Sequence, residues 1–189
     1  EGGALLINDS RFADRAEIIR EKGTNRSAFF RGQVDKYSWV DIGSSYLPGE
    51  MVAAFLLAQL EDAVSITQRR LALWQQYHEA FAELERLGRV RRPIVPAHCE
   101  HNAHLYYLLF EDLAARSRFI DGMRDLQIDT VFHYVPLHSA PVGRRLGRVS
   151  GELPQTQSLS DRLVRLPLWP GLEPQQERVI DAVCQLAGR

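Results

Sequence analysis

The densest group of residues able to do chemistry is His133-Tyr134-Val135-Pro136-Leu137-His138. Its imidazoles and phenol can donate hydrogen bonds to phosphate, hydroxyl or carboxylate oxygens. The group closes a strand-like stretch from Ile128 to Tyr134. Loops that follow strands are where α/β proteins place reactive side chains. For His133, Tyr134 and His138, polar substrate contacts and a structural loop are both open readings. The spacing of the two histidines is not a metal-ligand spacing on a strand or helix, and no acidic triad accompanies them.

Two further groups have the chemistry to hold phosphate. Lys22-Gly23-Thr24-Asn25-Arg26, with Arg31 beyond, sets cations and an amide donor beside a glycine, a combination suited to a phosphate or diphosphate. The competing reading is a helix C-cap in which Lys22 complements the dipole and Gly23 ends the helix. Gly43-Ser44-Ser45-Tyr46 offers hydroxyls and backbone N–H groups ahead of a helix, and Ser45 as a plain N-cap is nearly as good an explanation. His98, Cys99, His101 and His104 superficially suggest zinc, but neighbouring positions share no common face and structural zinc sites prefer two separated pairs. His104, opening a strand, is a better substrate contact than metal ligand, so no metal is expected. There is no glycine-rich nucleotide fingerprint, no Gly-x-Ser-x-Gly elbow and no kinase signature. Lys22 and Lys36 have no apolar pocket in sequence to activate them as nucleophiles.

The elements that must position these groups follow from apolar spacing. Ala4-Leu5-Leu6-Ile7 predicts a short strand, closed by Asn8-Asp9-Ser10, a turn and N-cap signal. Phe12, Ala16, Ile18 and Ile19 keep helical spacing up to Gly23. Residues 24–47 are polar and aromatic without a clean period, and loops of that length are usually functional or disordered; the aromatic content argues against disorder. Pro48 opens a helix, and an amphipathic run from Asp62 to Leu87 places Ile66, Leu73, Trp74, Tyr77, Phe81 and Leu84 on one side until Gly88. After a connector carrying Pro93 and Pro96, the expected order is strand His104–Phe110, helix Ala114–Leu126 and strand Ile128–Tyr134. A loop over 139–156, helix Ser158–Val164, strand Arg165–Trp169 and helix Pro174–Ala187 complete it. This describes a small α+β layer.

Composition sets broad limits. The chain has 189 residues, 45% of them hydrophobic, and a net charge of −1, so nothing draws it electrostatically to nucleic acid or an anionic membrane. No apolar run approaches the ~20 residues needed to span a bilayer. Cys99 and Cys184 offer neither a disulfide framework nor a metal quartet, and a reducing cytoplasm is the default. The apolar run at residues 4–7 would need strand neighbours on both sides; the expectation is a piece of a longer protein.

Several phrases resemble the DegT/StrS-type sugar aminotransferases: Glu1-Gly2-Gly3-Ala4-Leu5-Leu6-Ile7-Asn8-Asp9, Arg20-Glu21-Lys22-Gly23-Thr24-Asn25-Arg26 and Asp41-Ile42-Gly43-Ser44-Ser45-Tyr46. Ala53-Ala54 with Gln59-Leu60, His104-Leu105-Tyr106 and the 133–138 group continue the resemblance in order along the chain. Lys22-Gly23-Thr24-Asn25-Arg26-Ser27, Phe30-Arg31-Gly32-Gln33-Val34-Asp35-Lys36-Tyr37 and Val131-Phe132-His133-Tyr134 resemble the branch that aminates dTDP-4-oxo-6-deoxy-D-glucose for enterobacterial common antigen.

The resemblance implies the C-terminal part of an aspartate-aminotransferase-like α/β fold whose C-terminal domain is α+β, a small mixed sheet with helices plus long linking helices. Residues 1–47 would be the remnant of a large pyridoxal-phosphate-binding domain, 48–88 linking helices, and 89–189 the small domain. It implies a homodimer with both subunits lining each site, pyridoxal 5′-phosphate as cofactor, glutamate as amino donor and a dTDP-sugar as acceptor. The lysine that carries the cofactor would lie upstream of Glu1, leaving this chain without a catalytic residue and inactive alone. By resemblance, Ser45 stands where many relatives have an asparagine that reaches the neighbouring subunit's cofactor phosphate, and Leu47 where many have arginine. Asn25, Arg26 and Arg31 match a loop that approaches the neighbouring site. His104, His133, Tyr134 and His138 are the expected substrate contacts. The rival is a stand-alone module that binds a nucleotide sugar or a partner protein without catalysis.

Overall fold

The structure, a computed structural model, describes residues 3–188. Glu1, Gly2 and Arg189, at the ends of the expected first and last domains, lie outside the described residues. The chain divides into two units, Glu1–Ala63 and Val64–Arg189.

In the first unit Asp9 works as its type predicts: its carboxylate accepts the Arg11 N–H and caps a 3-10 turn, Ser10–Phe12. Helix α1, Ala13–Arg20, follows directly. The strand expected at residues 4–8 does not form; Leu5 and Leu6 are exposed, because no described segment offers them a hydrogen-bonding edge. The 24–47 segment contains a short helix, α2 (Arg26–Phe30), and two isolated bridges, Glu21 with Ser45 and Thr24 with Trp39. Helix α3, Glu50–Glu61, starts with Gly49 as its N-cap. It buries none of its residues, although Met51, Phe55, Leu57 and Leu60 are all large and apolar. A helix that is apolar all round and still exposed marks a surface made to be covered.

In the second unit the expected amphipathic run becomes two helices, α4 (Ala63–Ala80) and α5 (Ala82–Arg86), broken at the fully buried Phe81. Gly88, at φ 71°, ends α5 and lets the Arg89 N–H donate to the Leu84 carbonyl at 2.9 Å. Strand β1 (Tyr106–Leu109), helix α6 (Leu113–Asp125, capped by Asp112) and strand β2 (Val131–Phe132) follow. The stretch expected to be loop contains helix α7, Pro141–Leu146, with Pro141 preset for its first turn. Helix α8 spans Pro154–Arg162, starting earlier than its apolar pattern suggested because Pro154 serves the first turn. Leu163 and Val164, expected to be helical, belong instead to β3 (Leu163–Leu166). A 3-10 turn at Glu173–Gln175 leads into α9, Gln176–Ala187.

The sheet is antiparallel, not mixed, with order β1-β3-β2. β1 and β2 run the same way, as a strand–helix–strand unit requires, but β3 enters between them and opposes both. Alternation then sorts the side chains. Tyr106, Leu108, Val164 and Leu166 turn into the core with Tyr77, Phe81, Met123 and Val183, each burial contributing about 1.5–3 kcal/mol. Tyr107, Leu109, Leu163, Arg165 and Val131 occupy the opposite face, and of these Leu109 alone is buried.

Candidate functional site

The first unit closes the 24–47 segment at its base. Beyond the α1 C-cap, Glu21, the backbone turns left-handed at Lys22 (φ 64°) and Gly23 (φ 77°), and the Gly23 N–H donates to the Ile18 carbonyl at 2.8 Å. The C-cap reading of Lys22-Gly23 is therefore realised. The helix end does not close on itself, however. Ser44 is inserted: Lys22 N–H donates to the Ser44 carbonyl at 3.0 Å, and Ser44 N–H donates to Ile19 at 2.9 Å. On the other side Val40 and Asp41 donate to the Gly23 carbonyl at 2.8 and 3.0 Å. Two glycines permit this crossing, since a Cβ on Gly23 would lie 1.8 Å from the Asp41 oxygen and one on Gly43 would lie 2.1 Å from the Gly23 nitrogen.

Ser45, next to this crossing, is exposed, and its hydroxyl has no hydrogen-bond partner among the described residues. It is not an N-cap, because α3 begins five residues later. The exposed Lys22 side chain forms no ion pair among the described residues. Asn25 is already engaged, its side-chain oxygen accepting the Ser38 N–H at 2.7 Å. Arg26 lies over the rings of Phe30 (5.1 Å) and Tyr37 (6.0 Å). Arg31 is clamped in a bidentate pair with Glu17 at 3.0 and 2.7 Å and also reaches Gln33. That guanidinium holds the Glu17 carboxyl below the usual carboxylate range.

In the second unit, His133 and Tyr134 leave β2 edge to face, with ring centroids 5.2 Å apart. The Tyr134 carbonyl accepts the Ser160 hydroxyl at 3.0 Å, while its ring is largely exposed. Both residues line a shallow cleft of ≈ 580 Å³ with Leu137, Thr156 and Ser160. His138 lies in the turn just past these lining residues, where the Ser139 and Ala140 N–H groups donate to the Pro136 carbonyl. His104 is not part of that cleft. It is exposed and lines a second, smaller one of ≈ 250 Å³ with Asp129, Val131 and Arg165.

Two arginines outside the sequence motifs lie over rings at the end of β2. The Arg165 guanidinium sits 5.7 Å from the Tyr134 ring centroid and also lines the second cleft. Arg116 of α6 lies 5.7 Å over the Phe132 ring. The Nε atoms of both, and Nδ1 of His133, are buried without a hydrogen-bond partner. The signal for Arg165 was present in the alternation Leu163-Val164-Arg165-Leu166, which puts the arginine on the outward face of a strand.

The 98–104 group does not converge. His101 packs edge-on against Trp74 at 4.5 Å, and Cys99 is exposed. No three His, Cys, Asp or Glu side chains among the described residues are arranged to hold a metal. No described helix is long and apolar enough to cross a membrane.

Residues 1–184 match the DegT/DnrJ/EryC1/StrS aminotransferase family. The chain is 31% identical over its full length to the dTDP-3-amino-3,4,6-trideoxy-alpha-D-glucose transaminase of Streptomyces venezuelae, covering 46% of that protein. It superposes on the crystal structure of S. venezuelae DesV with a TM-score of 0.81 at 30% identity, over 97% of this chain and 46% of that one. Spr1654 of Streptococcus pneumoniae in its PLP form shares the fold at a TM-score of 0.79, with 21% identity over 98% of this chain and 46% of that one. The chain thus spans about half the length of the relatives it matches.

Proposed function

The chain belongs to the DegT/DnrJ/EryC1/StrS aminotransferase family, and from that premise we propose that it is the C-terminal portion of a pyridoxal-phosphate-dependent enzyme that aminates a dTDP-keto sugar. The observation that carries the reading is the similarity, along the whole of this chain and 46% of the relative, to a dTDP-sugar transaminase. The acceptor is the 4-keto carbon of a dTDP-4-keto-6-deoxyhexose and the donor glutamate. The product is dTDP-4-amino-4,6-dideoxygalactose, which places the enzyme in enterobacterial common antigen synthesis in the cytoplasm.

The donor set fits one end of the cofactor. The Ser45 hydroxyl and Lys22 ammonium, both exposed and without internal partners among the described residues, suit a phosphate. The ring end is not served: Lys22 and Lys36 are both exposed. When bound, pyridoxal phosphate supplies the electron sink for amino transfer. The residues of this chain bind and orient: Ser45 holds the phosphate of a neighbouring subunit's cofactor, and Arg26, Asn25 and Arg31 approach that subunit's substrate. His133 and Tyr134 contact the sugar nucleotide at the larger cleft, His138 does so from the turn just past it, and His104 borders the smaller one. The exposed apolar surface of α3 supports a homodimer that covers it.

The test is to supply the full-length gene product with pyridoxal phosphate, glutamate and either a dTDP-4-keto or a dTDP-3-keto deoxysugar, and to follow 2-oxoglutarate and amino sugar by mass spectrometry. Amination of the 4-keto sugar is expected, and none by the 189-residue chain alone. Turnover of the 3-keto sugar only would reassign the acceptor position to that named for the Streptomyces relative. No amination of either would leave a non-catalytic nucleotide-sugar or partner-binding module as the better reading.

A further inference from the structure

The outward face of the sheet carries an unanswered positive charge. Arg165 is at its centre, in the middle strand, with Tyr107 opposite it on β1 and Val131 opposite it on β2. Its Nε is buried without a hydrogen-bond partner, and no Asp or Glu among the described residues forms an ion pair with it. A guanidinium cannot shed its proton, so a buried N–H on it is costly to leave unmade. Arg116 and Arg162 share an unpartnered buried Nε, whereas two other arginines of this unit are answered. Arg92 pairs with Glu85 at 2.8 Å, and Arg70 donates to the Ala103 carbonyl at 3.0 Å.

The surroundings of Arg165 orient it without neutralising it. The Tyr134 ring beneath the guanidinium holds its plane by a cation–π contact, which leaves the in-plane N–H fork available. Arg116, over Phe132, belongs to the other face, since Phe132 lies opposite the core residue Val164 in the β2–β3 register, so Arg165 is the cation of this one. The cleft that Arg165 lines is small, ≈ 250 Å³, and its other polar contributors are His104 and Asp129. A site of this size and charge suits one oxyanion group better than a whole nucleotide.

We infer that Arg165 is the anchor of an oxyanion subsite on the outward sheet face, between the two clefts, and that it takes one carboxylate or phosphate group of a substrate through a bidentate guanidinium pair. Tyr134 is its positioning residue. The inference rests on geometry and charge in this chain and needs no amino transfer, so it can fail or stand separately from the aminotransferase reading. Within that reading, the oxyanion comes from either the amino donor's carboxylate or the sugar nucleotide's diphosphate.

The experiment is a titration of the isotope-labelled 189-residue chain, following arginine Nε–Hε resonances with inorganic phosphate, glutamate or dTDP. Arg165→Lys identifies the resonance, and its circular dichroism checks that the fold persists. A saturable shift of the Arg165 signal is expected with at least one ligand, and isothermal titration with that ligand should show binding weakened about tenfold in Arg165→Lys, where the bidentate fork is lost. Tyr134→Leu is expected to weaken it severalfold while leaving the fold intact. A response to glutamate and not to phosphate identifies a carboxylate as the occupant; a response to phosphate and dTDP alone identifies a phosphate. The inference is overturned if none of the three moves the resonance, or if Arg165→Lys binds as tightly as the unaltered chain.

Discussion

Gly23 and Gly43 lie so close that a Cβ on Gly43 would fall 2.1 Å from the Gly23 nitrogen. The contact is backbone against backbone, so no side-chain rotation can relieve it. Around it, Ser44 takes the place of an internal helix-end hydrogen bond, and Ser45 is presented at the surface as a consequence. The proposed phosphate contact therefore depends on two residues that carry no functional group of their own.

Gly43→Ala is accordingly expected to open the base of the 24–47 segment at a cost of about 1–3 kcal/mol, the usual range for forced overpacking. Hydrogen exchange is the measurement: the amides of Lys22, Ser44 and Tyr46 should lose protection together, while those of β1 and β3 keep theirs. Unchanged protection at Ser44 would show that the crossing tolerates a side chain.

Arg31 can reach a ligand only by leaving Glu17. That pair is partly exposed, 45% and 36% at the two side chains, and solvent screening leaves such pairs with little net stabilisation. Glu17→Gln removes the competitor while preserving length, and should tighten phosphate binding by Arg31 severalfold, with stability nearly unchanged. Isothermal titration with dTDP on the full-length protein reads this directly. Weaker binding in Glu17→Gln would mean that the pair positions Arg31 rather than sequesters it.

His78 links the second unit's stability to pH. Its imidazole stacks on Trp74 with centroids 4.6 Å apart, and burial, reinforced by the nearby Arg92 charge, pushes its pKa below the ordinary 6.5. Below that value the unfolded chain accepts a proton that the folded chain resists. Stability contributed by the neutral ring is thus complete above pH 6.5 and lost as pH falls through the depressed folded value. Urea midpoints between about pH 7.5 and about pH 5.5 should fall, and His78→Gln should flatten part of that slope. An identical slope in the variant would assign the effect to other groups.

Tyr77 ties α4 to the end of β3, its hydroxyl donating to the Pro167 carbonyl at 3.0 Å while its ring is fully buried. Burial raises its pKa, so the phenol stays a donor throughout the stable range. Tyr77→Phe should cost about 1 kcal/mol, the hydrogen bond alone. Tyr77→Ala should cost about 3–5 kcal/mol by adding a cavity among Phe81 and Tyr106. Equal losses in the two variants by chemical denaturation would contradict this division.

What the sequence determined by itself is what local spacing encodes. The apolar periods located α4, α6 and α9, Asp9 announced the turn at Ser10, and the glycines at 23 and 88 ended their helices. His133 and Tyr134, read as a pair at the end of a strand, do share one cleft. These features depend on residues within a few positions of each other, where propensity and capping act directly. Tertiary structure alone decided the rest. It inserted β3 between β1 and β2, wedged Ser44 into the end of α1, and joined Arg31 to a glutamate fourteen residues away. It also left Arg165 at the centre of a sheet face without a counterion among the described residues. Each of these is a pairing between distant segments, set by the burial and backbone hydrogen bonding of the folded chain as a whole, for which no short-range pattern carries a signal.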